Sequence, residues 1–130
     1  MNANEILSMP AGREMDALVL TSVFGVMVFR DEGGEPYRIG FFQENEPVWN
    51  YSGNISSAWA VVEKLAGEDS ELSIHITGEY PGGGWRCILG NAFVDYDVTA
   101  ETAPLAICRA ALLARGLTPR EPDGGTVAEN

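Results

Sequence analysis

The chain has 130 residues and a formal net charge of −11, from 19 acids against eight bases, and 45% of its residues are hydrophobic. That suits one domain with one core and is too apolar for a disordered chain. So acidic a chain has no basic patch to release counterions from DNA or RNA, and no run approaches the ~18 apolar residues of a membrane span, so neither a nucleic-acid polymer nor a membrane is an expected partner.

The start, Met1-Asn-Ala-Asn-Glu-Ile-Leu7, has no basic n-region, and the expected location is the cytoplasm. From about Asn2 to Phe24 the chain reads as helix, with Ala11, Met15, Leu18, Val19 and Ser22 on one stripe and Arg13, Glu14 and Asp16 facing elsewhere. Pro10 and Gly12 interrupt its start, and Gly25 ends it. Two strands follow, Val26–Arg30 and Tyr37–Phe42, joined by the turn residues Asp31-Glu-Gly-Gly-Glu-Pro36. Gln43 to Asn54 reads as an irregular loop carrying Trp49 and Tyr51.

A second helix is expected over Ile55–Ala66, capped by Asn54 or Ser52, with Ile55, Ala58, Trp59, Val62, Leu65 and Ala66 on its core face. Glu71–Tyr80 alternates as a strand, with Leu72, Ile74 and Ile76 inward and Ser73, His75 and Thr77 outward. Pro81-Gly-Gly-Gly84 turns the chain into a strand over Trp85–Leu89; Gly90 or Asn91 breaks it, and Ala92–Thr99 resumes it. The last helix is the best-marked element: Thr102 caps it, Pro104 sits in its first turn, and Gly116 stops it. It is apolar nearly all round, so it must be covered on more than one side. Residues 117–130, rich in Pro, Gly and acids, read as a flexible tail beyond a single domain over 1–116. The order α-ββ-α-ββ(β)-α predicts an α+β fold, a three-layer α/β/α sandwich in which helices cover an antiparallel sheet.

Arg109 stands out, because it lies on the Leu105/Leu112/Leu113 face of that apolar helix, where a charge needs a partner. An internal acid, Asp16 or Glu101, and a ligand's phosphate are the two alternatives. Gly82-Gly-Gly84 can form an anion nest or a plain hairpin turn. Asp95 and Asp97, at i and i+2, direct their carboxylates the same way, as acid/base chemistry or simple solvation would both allow; Phe93 reads as sharing their face. Trp49, Tyr51 and Trp85 offer planes in or beside loops on which a base can stack. Cys87 and Cys108 lack metal spacing and read as core thiols, His75 is the sole histidine and reads as exposed, and no metal or cofactor is expected.

Three blocks, Ala11–Val19, Tyr51–Lys64 and Thr102–Leu113, resemble the phage ABA sandwich domain family of small bacteriophage and prophage proteins. The strands between these blocks match only in pattern. The resemblance implies an α/β/α sandwich acting in the cytoplasm of an infected bacterium. Proteins of this general type with a known role are anti-Thoeris sponges, which sequester cyclic ADP-ribose isomers without cleaving them, in pockets between subunits. By that resemblance the chain is a non-enzymatic counter-defence protein that binds a cyclic nucleotide-type ligand as a homo-oligomer. Arg109 then meets the ligand's pyrophosphate, Asn91 a base or ribose edge, Trp85 and Phe93 stack, and Arg86 adds charge. The alternative is a non-enzymatic interaction protein that binds a host protein, as a DNA mimic for example, or serves a structural role. An enzyme using Asp95 and Asp97 is the third class.

Overall fold

Helix α4 (Ala103–Ala114) is the element on which the rest of the chain is packed. The Thr102 hydroxyl accepts a hydrogen bond from Leu105 N at 3.3 Å, which satisfies a first-turn donor, and Pro104 has no N–H to satisfy. At the other end Gly116, at φ 74°, takes the left-handed conformation that lets the chain leave the helix. Between these signals Ala103 and every residue from Leu105 to Leu113 are buried. The computed structural model describes residues 3–40, 42–78, 83–91 and 93–116. The expected tail, and Pro81 and Gly82 of the expected turn, lie outside them.

The other elements are α1 (Ala3–Ser8), α2 (Arg13–Ser22), β1 (Phe29–Arg30), β2 (Pro36–Ile39), β3 (Asn45–Pro47), α3 (Ile55–Glu68), β4 (Ser73–Gly78), β5 (Trp85–Gly90) and β6 (Asp95–Ala100). They form the expected α+β sandwich, with the antiparallel strands divided between two sheets, β1-β2-β3 and β4-β5-β6. Strands β5 and β6 cover one side of α4, while α3, α2 and α1 contact it elsewhere. This answers the demand of a helix with no wet face.

Register decides what each side of the second sheet carries. Ile76, Cys87 and Val98 are paired across the three strands, as are Ile74, Leu89 and Tyr96, and these rows face the helices. The alternate rows, His75–Ile88–Asp97 and Thr77–Arg86–Thr99, lie on the opposite side, where all but the half-buried Ile88 are exposed. His75 is exposed, as its alternation implies.

Several elements depart from the sequence pattern. The single first helix is two, α1 and α2, because Pro10 and Gly12 (φ 149°) break it. Asp16, expected to face away from the core, is 1% exposed and hydrogen-bonded to Ser52. Part of the expected loop is β3, a three-residue strand of Asn, Glu and Pro with no alternation to betray it. Strands β5 and β6 are the two arms of a hairpin rather than one interrupted strand.

On α3, Asn54 caps as expected, its Oδ1 accepting from Ser57 N at 3.0 Å, but the buried stripe is Ala58, Val61, Val62 and Leu65. Trp59 is 44% exposed and Ile55 52%. Two stripes of helical spacing overlap on this helix, and packing beside α4 covers the one containing Val61.

Candidate functional site

Arg109, in the middle of α4, is 8% exposed. Its Nη1 donates to Thr99 O at 3.0 Å and its Nη2 to Met9 O at 2.9 Å, while Nε is buried and makes no hydrogen bond. Neither expected acid pairs with it. Asp16 is held by Ser52, and Glu101 makes no ion pair among the described residues. The observed partners are backbone carbonyls, which accept protons but do not cancel the charge. The guanidinium is therefore a nearly buried cation with no counter-ion among the described residues.

Arg109 lines an open cleft of about 760 Å³ with Gly83, Gly84, Trp85, Thr99, Ala100 and Glu101. That volume falls within the roughly 300–1,000 Å³ of small-molecule sites. Strand register builds the cleft. Trp85 opens β5 opposite Gly78 and Ala100, and its indole lies over Gly78, about 4.0 Å from where a Cβ would stand. Gly84, at φ 114°, keeps the opposite wall low, since a Cβ there would come within 3.3 Å of Ala100 O. The indole remains 39% exposed and offers a stacking edge. Of the glycine run proposed as a nest, Gly83 and Gly84 line the cleft and Gly82 is outside the described residues.

The other expected site residues lie elsewhere. Asn91 follows the far end of β5, six residues from Trp85, so the two are roughly 20 Å apart along the strand. Its Oδ1 accepts from Phe93 N at 2.8 Å and Val94 N at 3.0 Å, locking the β5–β6 turn. Phe93, on that turn rather than on the Asp95/Asp97 sheet face, is 94% exposed. Arg86 projects on the open side of the sheet, its Nε donating to Asp97 Oδ1 at 2.8 Å and its Nη2 to Oδ2 at 2.5 Å. That guanidinium holds the Asp97 carboxyl below the usual carboxylate range. Asp97 is thus committed to a cation.

The structure therefore brings Arg109 and Trp85 together, adds Glu101 to them, and separates both from Asn91, Phe93 and Arg86. Glu101, one of the two acids the sequence offered as a partner for Arg109, lines the same cleft but makes no ion pair with it among the described residues. Burial pushes the Cys87 thiol up to about 11 and that of Cys108 upward as well, so neither is a ready nucleophile. Among the described residues no group of three or more His, Cys, Asp or Glu is placed to hold a metal ion, and no helix is long and apolar enough to cross a membrane.

The phage ABA sandwich domain model matches residues 19–112. A solved structure of a phage protein from Bacillus cereus ATCC 14579 is similar at 30% identity and a TM-score of 0.65, over 81% of this chain and 91% of that one. No curated protein matches the chain.

Proposed function

The chain belongs to the phage ABA sandwich domain family, and from that premise we propose that it binds a small anionic ligand of the cyclic-nucleotide type, such as a cyclic ADP-ribose isomer, and sequesters it uncleaved. The observation that carries this reading is the Arg109 guanidinium, nearly buried, without a counter-ion among the described residues and lining a cleft of ligand size beside an exposed indole. A phosphate about 4 Å from that charge gains roughly 4 kcal/mol at an effective dielectric constant near 20. Stacking of a base on Trp85 adds about 1–3 kcal/mol. Micromolar binding, about 8 kcal/mol, requires both contacts together with hydrogen bonds from the cleft walls.

Sequestration without cleavage fits the lining. Glu101 is the single carboxylate there, with no His, Cys or second acid among the described lining residues to complete an acid–base pair. In an infected bacterium such a protein would blunt a nucleotide immune signal in the cytoplasm.

The test is uptake and release. Protein is incubated with cyclic ADP-ribose isomers and cyclic dinucleotides, the free pool is measured, and the protein is heat-denatured. Depletion followed by recovery of unchanged ligand, with Trp85→Ala weakening uptake at least tenfold, supports the proposal. Recovery of altered ligand makes the protein an enzyme. Absence of depletion removes the reading and turns attention to a protein contact through exposed Trp59 and Ile55 on α3.

A further inference from the structure

The cleft carries a cation and an anion that are not paired with each other. Arg109 is nearly buried, whereas Glu101, on the link between β6 and α4, is exposed and makes no ion pair among the described residues. The guanidinium spends one Nη1 hydrogen on Thr99 O and one Nη2 hydrogen on Met9 O, and its Nε is buried. One hydrogen on each Nη is left, a pair that suits two oxygens of a single phosphate. No other basic side chain is among the described lining residues. Glu101 follows Thr99, whose carbonyl holds Arg109, by at most roughly 7 Å of backbone. That lies within the Debye length of ~8 Å at physiological ionic strength, so the carboxylate acts on whatever Arg109 holds.

We propose that Glu101 makes the cleft selective for closed phosphodiesters by turning away ligands that carry a terminal phosphate. The inference rests on the binding proposed above and adds which kind of anion is accepted. Each phosphorus of a cyclic nucleotide bears one negative charge, which a single guanidinium matches. A terminal phosphate bears about −1.5 to −2 at pH 7. Its second charge meets no cation in the cleft; it faces Glu101 on a chain of net charge −11. Selectivity of this kind comes from the repulsive group as much as from the attractive one. An arginine alone would fill with abundant linear nucleotides such as AMP and ATP, which end in a terminal phosphate. Cyclic ligands have none.

Isothermal titration calorimetry with matched ligands tests this. Cyclic di-AMP is compared with its linear product bearing a 5′-phosphate, and cyclic ADP-ribose with its 2′-phosphorylated form. The second pair keeps the ring closed, so it separates the added phosphate from ring opening. The wild-type chain should bind the first member of each pair at least ~10-fold more tightly. Glu101→Gln keeps the shape at an exposed position and should cut that ratio at least ~5-fold, while Glu101→Asp keeps most of it. Added salt should shrink the ratio in the wild-type chain. Trp85→Ala should weaken both members alike, because stacking does not read charge. Equal affinities within a pair that binds, or a ratio that Glu101→Gln leaves unchanged, overturn this inference and leave the binding reading standing. Binding of none of the four ligands overturns both.

Discussion

Ser52 and Asp16, 36 residues apart in the chain, meet inside the core, where Ser52 N and Oγ donate to Asp16 Oδ1 at 2.8 and 2.7 Å. The same hydroxyl accepts from Gly12 N at 2.9 Å, so the serine supplies α2 with the polar cap that Gly12 has no side chain to provide. Asp16 lies in the first turn of α2, where the helix dipole favours a negative charge. Ser52→Ala removes one donor from a buried carboxylate and the cap together. The expected loss is about 2–3 kcal/mol in urea unfolding. A loss under ~0.5 kcal/mol would show that water replaces the hydroxyl.

Arg109 ties three segments together, since it reaches from α4 to Met9, between α1 and α2, and to Thr99 in β6. Arg109→Met deprives two carbonyls of their donor and is expected to cost about 2–3 kcal/mol, a loss that a domain of ordinary stability survives folded. Arg109→Lys keeps the charge but not the fork, and should melt between the two. Thermal melts in the order Arg, Lys, Met, highest first, with ligand uptake lost in the Met variant while it remains folded, separate the binding role from the structural one.

Stability should fall on the alkaline side. Burial raises the Tyr51 hydroxyl from an ordinary value of 10.0 to about 12 and the Cys87 thiol from 9.0 to about 11. The unfolded chain gives up both protons first, so the stabilisation is whole below pH 9 and is lost as pH climbs through the folded-state values. Tyr51 stacks on Phe24 with ring centroids 5.2 Å apart, so Tyr51→Phe keeps the packing. In that variant the decline between pH 10 and 12 should flatten, as read from melting temperature against pH.

The acid side has its own sign. Asp97 beside Arg86, and Glu68 beside Arg115 and Lys64, have carboxyls held below their usual range. Their contribution is present above the unfolded values and disappears as pH drops through the folded ones. Both are exposed, so 0.5 M salt should shrink this acid dependence in the same melting series.

The two stripes of α3 make opposite predictions. Val61→Ala opens a hole at a fully buried position and should cost about 2 kcal/mol or more. Trp59→Ser, on the exposed stripe, should stay within about 0.5 kcal/mol by denaturant titration.

Those stripes also show what local sequence can and cannot specify. Helix α4 was legible because its signals are local: a capping Thr102, a first-turn Pro104, a stopping Gly116. The face of α3 was not, because Ile55/Trp59 and Val61/Leu65 satisfy the same spacing and only a neighbour chooses between them. Strand β3 gave no signal, being three polar or cyclic residues with no apolar alternation, paired to β2 by the ladder and by a cross-strand Arg38–Glu46 ion pair. The anomaly of Arg109 could be read from its neighbours on the helix, but not its partners, one of which is 100 residues away. Trp85 and Asn91 were expected in one site, and six residues of extended chain between them keep them apart.

The burial of α4 also orders events during synthesis. The helices and the second sheet all rest on residues 103–114, which leave the ribosome after every one of them. Until α4 emerges, the inner faces of α2, α3 and β5 have nothing to close on, and the nascent chain holds an unfinished core. Folding is therefore a single late event rather than a progressive one, and a ribosome stalled before Ala103 should carry a protease-sensitive chain.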